Sequence, residues 1–156
     1  MSMSTGRAVV FDAAESVTVE ELPPIDEPMT PTDVRIAPQY LGICGSDLHV
    51  LEGKHPFAKA PTVPGHEICA VVTEVGGEVE SVSVGDHVVV DPIMNCGHCR
   101  ACLAGRPNLC EPPQVAGFRA PGFGRTSHVV PSKNVHVAPK SIPLEILAFT
   151  EPSLFM

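Results

Sequence analysis

Short β-branched runs separated by Gly and Pro dominate the hydrophobic pattern of this chain. The runs fall at Arg7 to Phe11, Ser16 to Glu21, Asp33 to Pro38, Ile68 to Val75, Asp86 to Val90, Ser127 to Val130 and Asn134 to Val137. Strands this short, spaced this regularly and divided by turn residues, predict an all-β barrel or sandwich. Gly76-Gly77 and Gly85-Asp86 are turn dipeptides, bracketing strand residues expected around Val79 to Val84. Helix signals are few. Ser46-Asp47 caps a short turn through Leu48 to Leu51, and Ser141 followed by Pro143 starts a helix over Leu144 to Phe149 that runs into Glu151-Pro152. There is no internal repeat and no low-complexity tract.

Composition narrows the function classes. The 156 residues are 44% hydrophobic, enough for one domain with its own core, but Trp is absent and Tyr occurs once. The core must therefore be built from Val, Ile, Leu and Ala. A net charge of −8 disfavours nucleic acid and anionic membrane as partners. Residues 1–7 carry no apolar signal core, and no run reaches the ~18 apolar residues that span a bilayer. A reduced, cytoplasmic protein is the expectation.

Two constellations carry chemistry. Cys96, Cys99, Cys102 and Cys110 have the spacing C-x2-C-x2-C-x7-C. Four thiolates on one loop form the ligand set of a closed, tetrahedral structural zinc site. Three disulfides are the alternative for six cysteines, but those frameworks belong to secreted chains and to more widely separated cysteines. A rubredoxin-type iron site usually pairs two C-x2-C units across a long gap, unlike this spacing. Arg100, Arg106 and His98 lie within the loop and partly offset the negative charge of four thiolates around a divalent ion. The second constellation is Cys44 followed by His66 and Glu67. Thiolate, imidazole and carboxylate are all zinc ligands, and three of them would leave a position open. On residue type alone, core packing or a surface pair is the commoner fate of such residues. Cys69 reads as a small buried hydrophobe, and His55, His87, His98, His128 and His136 as surface or strand residues.

Four segments, in order, resemble the amino-terminal domain of zinc-dependent medium-chain alcohol dehydrogenases. They are Gly42 to His49, Val63-Pro64-Gly65-His66-Glu67, Val84-Gly85-Asp86-His87-Val88 and the four-cysteine lobe. The resemblance is in particular to the sorbitol, threonine and butanediol dehydrogenase-like branch. The resemblance implies one GroES-like β-barrel domain over 1–156, mainly β with few short helices, carrying a structural zinc lobe at 95–111. It implies two zinc ions, one catalytic at Cys44, His66 and Glu67, the other structural at the four cysteines. Glu151 would contribute to the catalytic zinc directly or through water. Ser46 and His49 match the proton relay from a small alcohol or polyol substrate to solvent. The implied reaction is oxidation of a secondary alcohol to a ketone by Lewis-acid catalysis, with hydride passing to NAD or NADP.

The chain departs from the family pattern in three places. Ala70 replaces a Gly, Phe123 to His128 replaces a Gly-Gly-Phe-Ala-Glu-Tyr-like stretch, and no G-x-G-x-x-G follows a strand. The reading is thus a dehydrogenase cut before its nucleotide-binding domain, inactive alone, with exposed apolar surface where that domain docks. A homo-oligomer or a separate nucleotide-binding half are its expected partners. The alternative is a standalone, non-enzymatic zinc barrel acting as a binding module.

Overall fold

The computed structural model describes residues 6–22 and 27–154. The chain opens with a hairpin, β1 (Gly6–Ala13) and β2 (Ser16–Leu22), in the register Val9↔Val19 and Phe11↔Val17. Next come β3 (Asp33–Gly42), helix α1 (Gly45–Leu51) and β4 (Glu67–Val75). Strand β5 (His87–Val90) leads to the two-residue β6 (Ile93–Met94). Helix α2 (Arg100–Leu103), β7 (Gln114–Val115), β8 (His128–Pro131) and β9 (Val135–Val137) follow, then helices α3 (Leu144–Leu147) and α4 (Thr150–Leu154). A five-stranded antiparallel sheet in the order β8-β3-β4-β5-β9 forms the body. The architecture is mainly β, as expected, and each of the seven β-branched runs lies on a strand.

Alternation along β3 turns Val34 and Ile36 inward, where they meet Ile68, Val72, Val88, Val90 and Val130 in one buried cluster. Pro38 sits in β3 without disrupting the sheet, because β8 pairs only with Asp33 to Ile36. Past that point β3 has no neighbour on the β8 side for a proline nitrogen to disappoint. The start of β4 is buried on both faces, since helix α3 covers the side away from the core. That explains Cys69, which is buried among Ala138, Leu147 and Ala148 and donates its thiol hydrogen to the Leu144 carbonyl at 2.9 Å. Burial pushes that thiol up from its ordinary range. Ala70 is fully buried at a position paired with Pro38 and Val88, so the methyl in place of a hydrogen is absorbed by the core.

Two expectations need correction. Val79 to Val84 is not a strand but a loop, whose ends are fastened by the Gly76 N–H to Asp33 and the Gly85 N–H to Val72, each at 2.8 Å. It reads as strand because Val82 and Val79 pack on the core, which burial alone achieves without a ladder. The carboxy-terminal helix is two short ones, α3 and α4, rather than one run from Leu144. None of the helices among the described residues is long and apolar enough to cross a membrane.

Candidate metal centres

The β3–β4 register creates the first site. Gly42, the last residue of β3, lies opposite Glu67, the first residue of β4. The chain leaving β3 toward Cys44 therefore runs beside the chain arriving through His66. One ligand atom from each of Cys44, His66 and Glu67 falls within 4.8 Å of the others. His66 and Glu67 are buried and Cys44 is half-buried. The Glu67 carboxylate lies over Gly42, and any side chain at position 42 would collide with it. Gly65 supplies the turn into the site at φ +100°, a conformation open to glycine but strained for other residues.

Asp47 ties the cluster together. It is the third residue of α1, and its Oδ2 accepts from the Cys44 N–H at 3.0 Å, capping the helix. Its Oδ1 stands 3.6 Å from His66 Nδ1, which leaves Nε2 of the ring for the ligand cluster. Asp47 is 1% exposed, and neither its Oδ1 nor His66 Nδ1 has another protein partner. A carboxylate aimed at the far nitrogen of a candidate ligand histidine is the usual orienting device of metal sites. Burial works against charge on His66, but Asp47 and then Cys44 outweigh it and push the imidazole up to about 9. The surroundings thus favour positive charge at this spot, and the thiolate, imidazole and carboxylate donors fit zinc. The sequence signal for Asp47 was its place in a helix cap. Its reach to His66 required the tertiary fold.

The remaining candidates surround this cluster. Ser46, half-buried, and His49, exposed, are three residues apart on α1 and so share a helix face. Glu151 lies on α4, outside the three-residue ligand cluster. Burial, with Glu67 and Asp91 adding repulsion against the opposing pull of His66, holds its carboxyl above the usual range. Phe118 walls the site on another side, its ring 5.0 Å from that of His66 and stacked at 4.7 Å on His55. Sequence reading gave Phe118 no role, since a lone aromatic in a glycine-rich loop carries no periodic signal.

The second site is local. The sulfurs of Cys96, Cys99, Cys102 and Cys110 lie within 4.8 Å of one another. Backbone N–H groups point at them: Cys96 N to Cys110 Sγ at 3.4 Å, Cys99 N to Cys96 Sγ at 3.3 Å, and Cys102 N to Cys99 Sγ at 3.5 Å. Such amides favour thiolates, and Cys99 is pushed down to about 6 by the Cys102 amide first of all. Desolvation and neighbouring sulfurs push Cys102 up to about 11. A divalent cation would remove that competition, and no disulfide joins any of the six cysteines. The neck of the lobe is the β6–β7 pair. Buried Asn134 donates to the Asp91 and Ile93 carbonyls at 3.1 Å, and Lys133 grips Asn95 at 2.8 Å.

Known proteins resemble this chain in sequence and fold. The model of the alcohol dehydrogenase GroES-like domain matches residues 30–140. The starvation-sensing protein RspB of Escherichia coli K12 is 43% identical over 77% of this chain and 35% of its own length. The L-threonine 3-dehydrogenase of Pyrococcus abyssi is 38% identical over 85% of this chain and 39% of its own length. An alcohol dehydrogenase from Escherichia coli CFT073, solved with NADH, superposes with a TM-score of 0.83 at 36% identity, over 96% of this chain and 43% of that one. The chain thus spans roughly two-fifths of the length of these relatives. By its strand order, its two donor clusters and these matches, the chain belongs to the GroES-like domain family of the zinc-type alcohol dehydrogenases.

Proposed function

We propose that this chain is the zinc-binding catalytic half of an NAD(P)-dependent dehydrogenase that oxidises a secondary alcohol, in a small alcohol or polyol, to a ketone. The observation that carries the proposal is the convergence of Cys44, His66 and Glu67 within 4.8 Å around the orienting carboxylate of Asp47. In this reading those three side chains hold a catalytic zinc, Glu151 assists from α4, and the four cysteines hold a structural zinc in the 95–111 lobe of a single domain. A zinc ion at the first site would supply a Lewis acid that lowers the pKa of the substrate hydroxyl.

The chain's own residues do the rest. Asp47 keeps the His66 ring and the Cys44 backbone in place. Ser46, half-buried beside the ligands, takes the hydroxyl proton, and exposed His49 on the same helix face releases it to solvent. In this reading the hydride acceptor is held by a nucleotide-binding domain, whose glycine fingerprint does not occur in these 156 residues. An apolar groove of about 410 Å³, lined in part by exposed Tyr40, Ile43 and Leu48, supports the docking of further protein beside α1. Six unpaired thiols suit a reducing cytoplasm.

Zinc content tests the proposal. The full chain should bind two zinc ions, and Cys44→Ser or His66→Ala should leave one. A chain that never holds more than one, or variants that still hold two, would overturn it.

A further inference from the structure

Among the described residues, two cations that form no ion pair share one groove. Of its ten lysines and arginines, Arg35, Lys54, Arg125 and Lys140 face carboxylates. Lys133 is tied to Asn95, Arg100 and Arg106 belong to the cysteine lobe, and Arg7 stands apart on β1. Lys59 and Arg119 remain, and both line one open groove of about 710 Å³. Neither makes an ion pair or a side-chain hydrogen bond among the described residues. In a chain of net charge −8, this pairing of cations in one concavity stands out, with Glu20 as the single carboxylate on its walls.

The groove is built rather than incidental. The Arg119 guanidinium carbon rests 4.7 Å from the centre of the Phe57 ring, a cation–π contact that orients the guanidinium while leaving its N–H donors unclaimed. Phe118 is also part of the groove wall, and its ring lies 5.0 Å from His66. Phe118 therefore borders both the cationic groove and the candidate catalytic cluster. We infer that the groove receives a terminal oxyanion of the substrate, a phosphate monoester or carboxylate on a polyol, held by Arg119 and Lys59 while a hydroxyl further along the chain reaches the Cys44–His66–Glu67 cluster. The inference rests on the dehydrogenase reading above and specifies its substrate class. Arg119 gives a planar, bidentate grip on either anion and Lys59 a point charge.

Calorimetric titration of the zinc-loaded full chain with sorbitol, sorbitol 6-phosphate and gluconate tests it, with zinc content measured on the same sample. The phosphate or the acid should bind about tenfold or more tightly than sorbitol, as charge-assisted hydrogen bonds allow. The advantage should shrink with salt. It should vanish in the Lys59→Gln/Arg119→Gln double variant, which should still hold two zinc ions. The two charged probes separate phosphate from carboxylate recognition. A two-zinc sample that binds none of the three, or binds them alike, overturns this inference alone, as does a preference that survives in the double variant. A sample holding only the lobe zinc overturns the dehydrogenase reading and this inference with it.

Discussion

The cysteine lobe and the Cys44–His66–Glu67 cluster assemble comparable sets of donors by opposite means. In the lobe, every donor lies within fifteen residues, and the loop's own amides point at the sulfurs. Its organisation depends on short-range turns, and the barrel holds the neck through Lys133, Asn134 and the core packing of Met94 and Ala116. In the barrel mouth, donors more than twenty residues apart in sequence meet because Gly42 pairs with Glu67 in a sheet. That sheet exists whether or not an ion is bound, since its strands bury a continuous apolar core. A closed site can thus be local and metal-dependent, whereas an open site needs a scaffold that pre-forms it. An ion with a vacant position gives less binding energy to organise its own ligands.

This contrast yields graded expectations. Cys99→Ser should have the largest effect. It removes one sulfur ligand and the acceptor of the Cys102 amide, and a structural zinc contributes on the order of 10 kcal/mol of apparent binding energy. Amides of residues 96–110 should lose hydrogen-exchange protection while those of β3 and β4 keep it. Simultaneous loss in both would show that the two regions are not independent.

Acid should act next, on a third place in the barrel. His128 is buried on β8 with its ring edge-on to fully buried Phe123. Burial, then the charge of Arg125, push it down to about 4, while Arg125 in turn pairs with Glu27. Burial raises the Glu27 carboxyl, but Arg125 outweighs it and the carboxyl stays below its ordinary range. The unfolded chain binds a proton at His128 from about pH 6.5 downward and the folded chain only near 4. The stabilisation is therefore complete above pH 6.5 and is lost as pH falls to about 4. It amounts to about 3 kcal/mol. Urea unfolding at pH 7.5 and pH 4.5 should show this slope in wild type and a flatter one in His128→Gln. Equal slopes would remove His128 from the explanation.

Asp47→Ala should weaken zinc at the barrel site by about ten- to hundredfold and leave the lobe ion in place. Competition with a chromophoric chelator reads the two sites separately. Asp47→Asn should recover part of the loss, because an amide oxygen can still accept from the Cys44 N–H. Loss of both ions together would mean that Asp47 supports the fold rather than the site. The smallest effect belongs to Lys133→Ala, about 1 kcal/mol or less, since the Asn95 tether is exposed to water. A larger loss would show that the barrel organises the lobe more than the contrast above allows.

Strand positions were legible because alternation is local: each run carries its own pattern of buried and exposed residues. The loop at Val79 to Val84 was misread because valines packing on a core look the same whether or not they join a ladder. The break between α3 and α4 was missed because weak helix signals extend across it without a stop residue. The four-cysteine site was visible from spacing alone, the barrel site only through resemblance.

Local physics determined by the sequence alone thus covers the all-β class, the strand runs, the cysteine lobe and the cap at Asp47. These depend on residues within one or two turns of each other, where side-chain period and turn chemistry decide the outcome. Tertiary structure alone decided which distant groups meet: Asp47 with His66, Phe118 with His66, and the pairing of Lys59 with Arg119 in one groove. Their proximity follows from strand register and loop packing, and both are settled by burying the whole apolar surface at once rather than by any short segment.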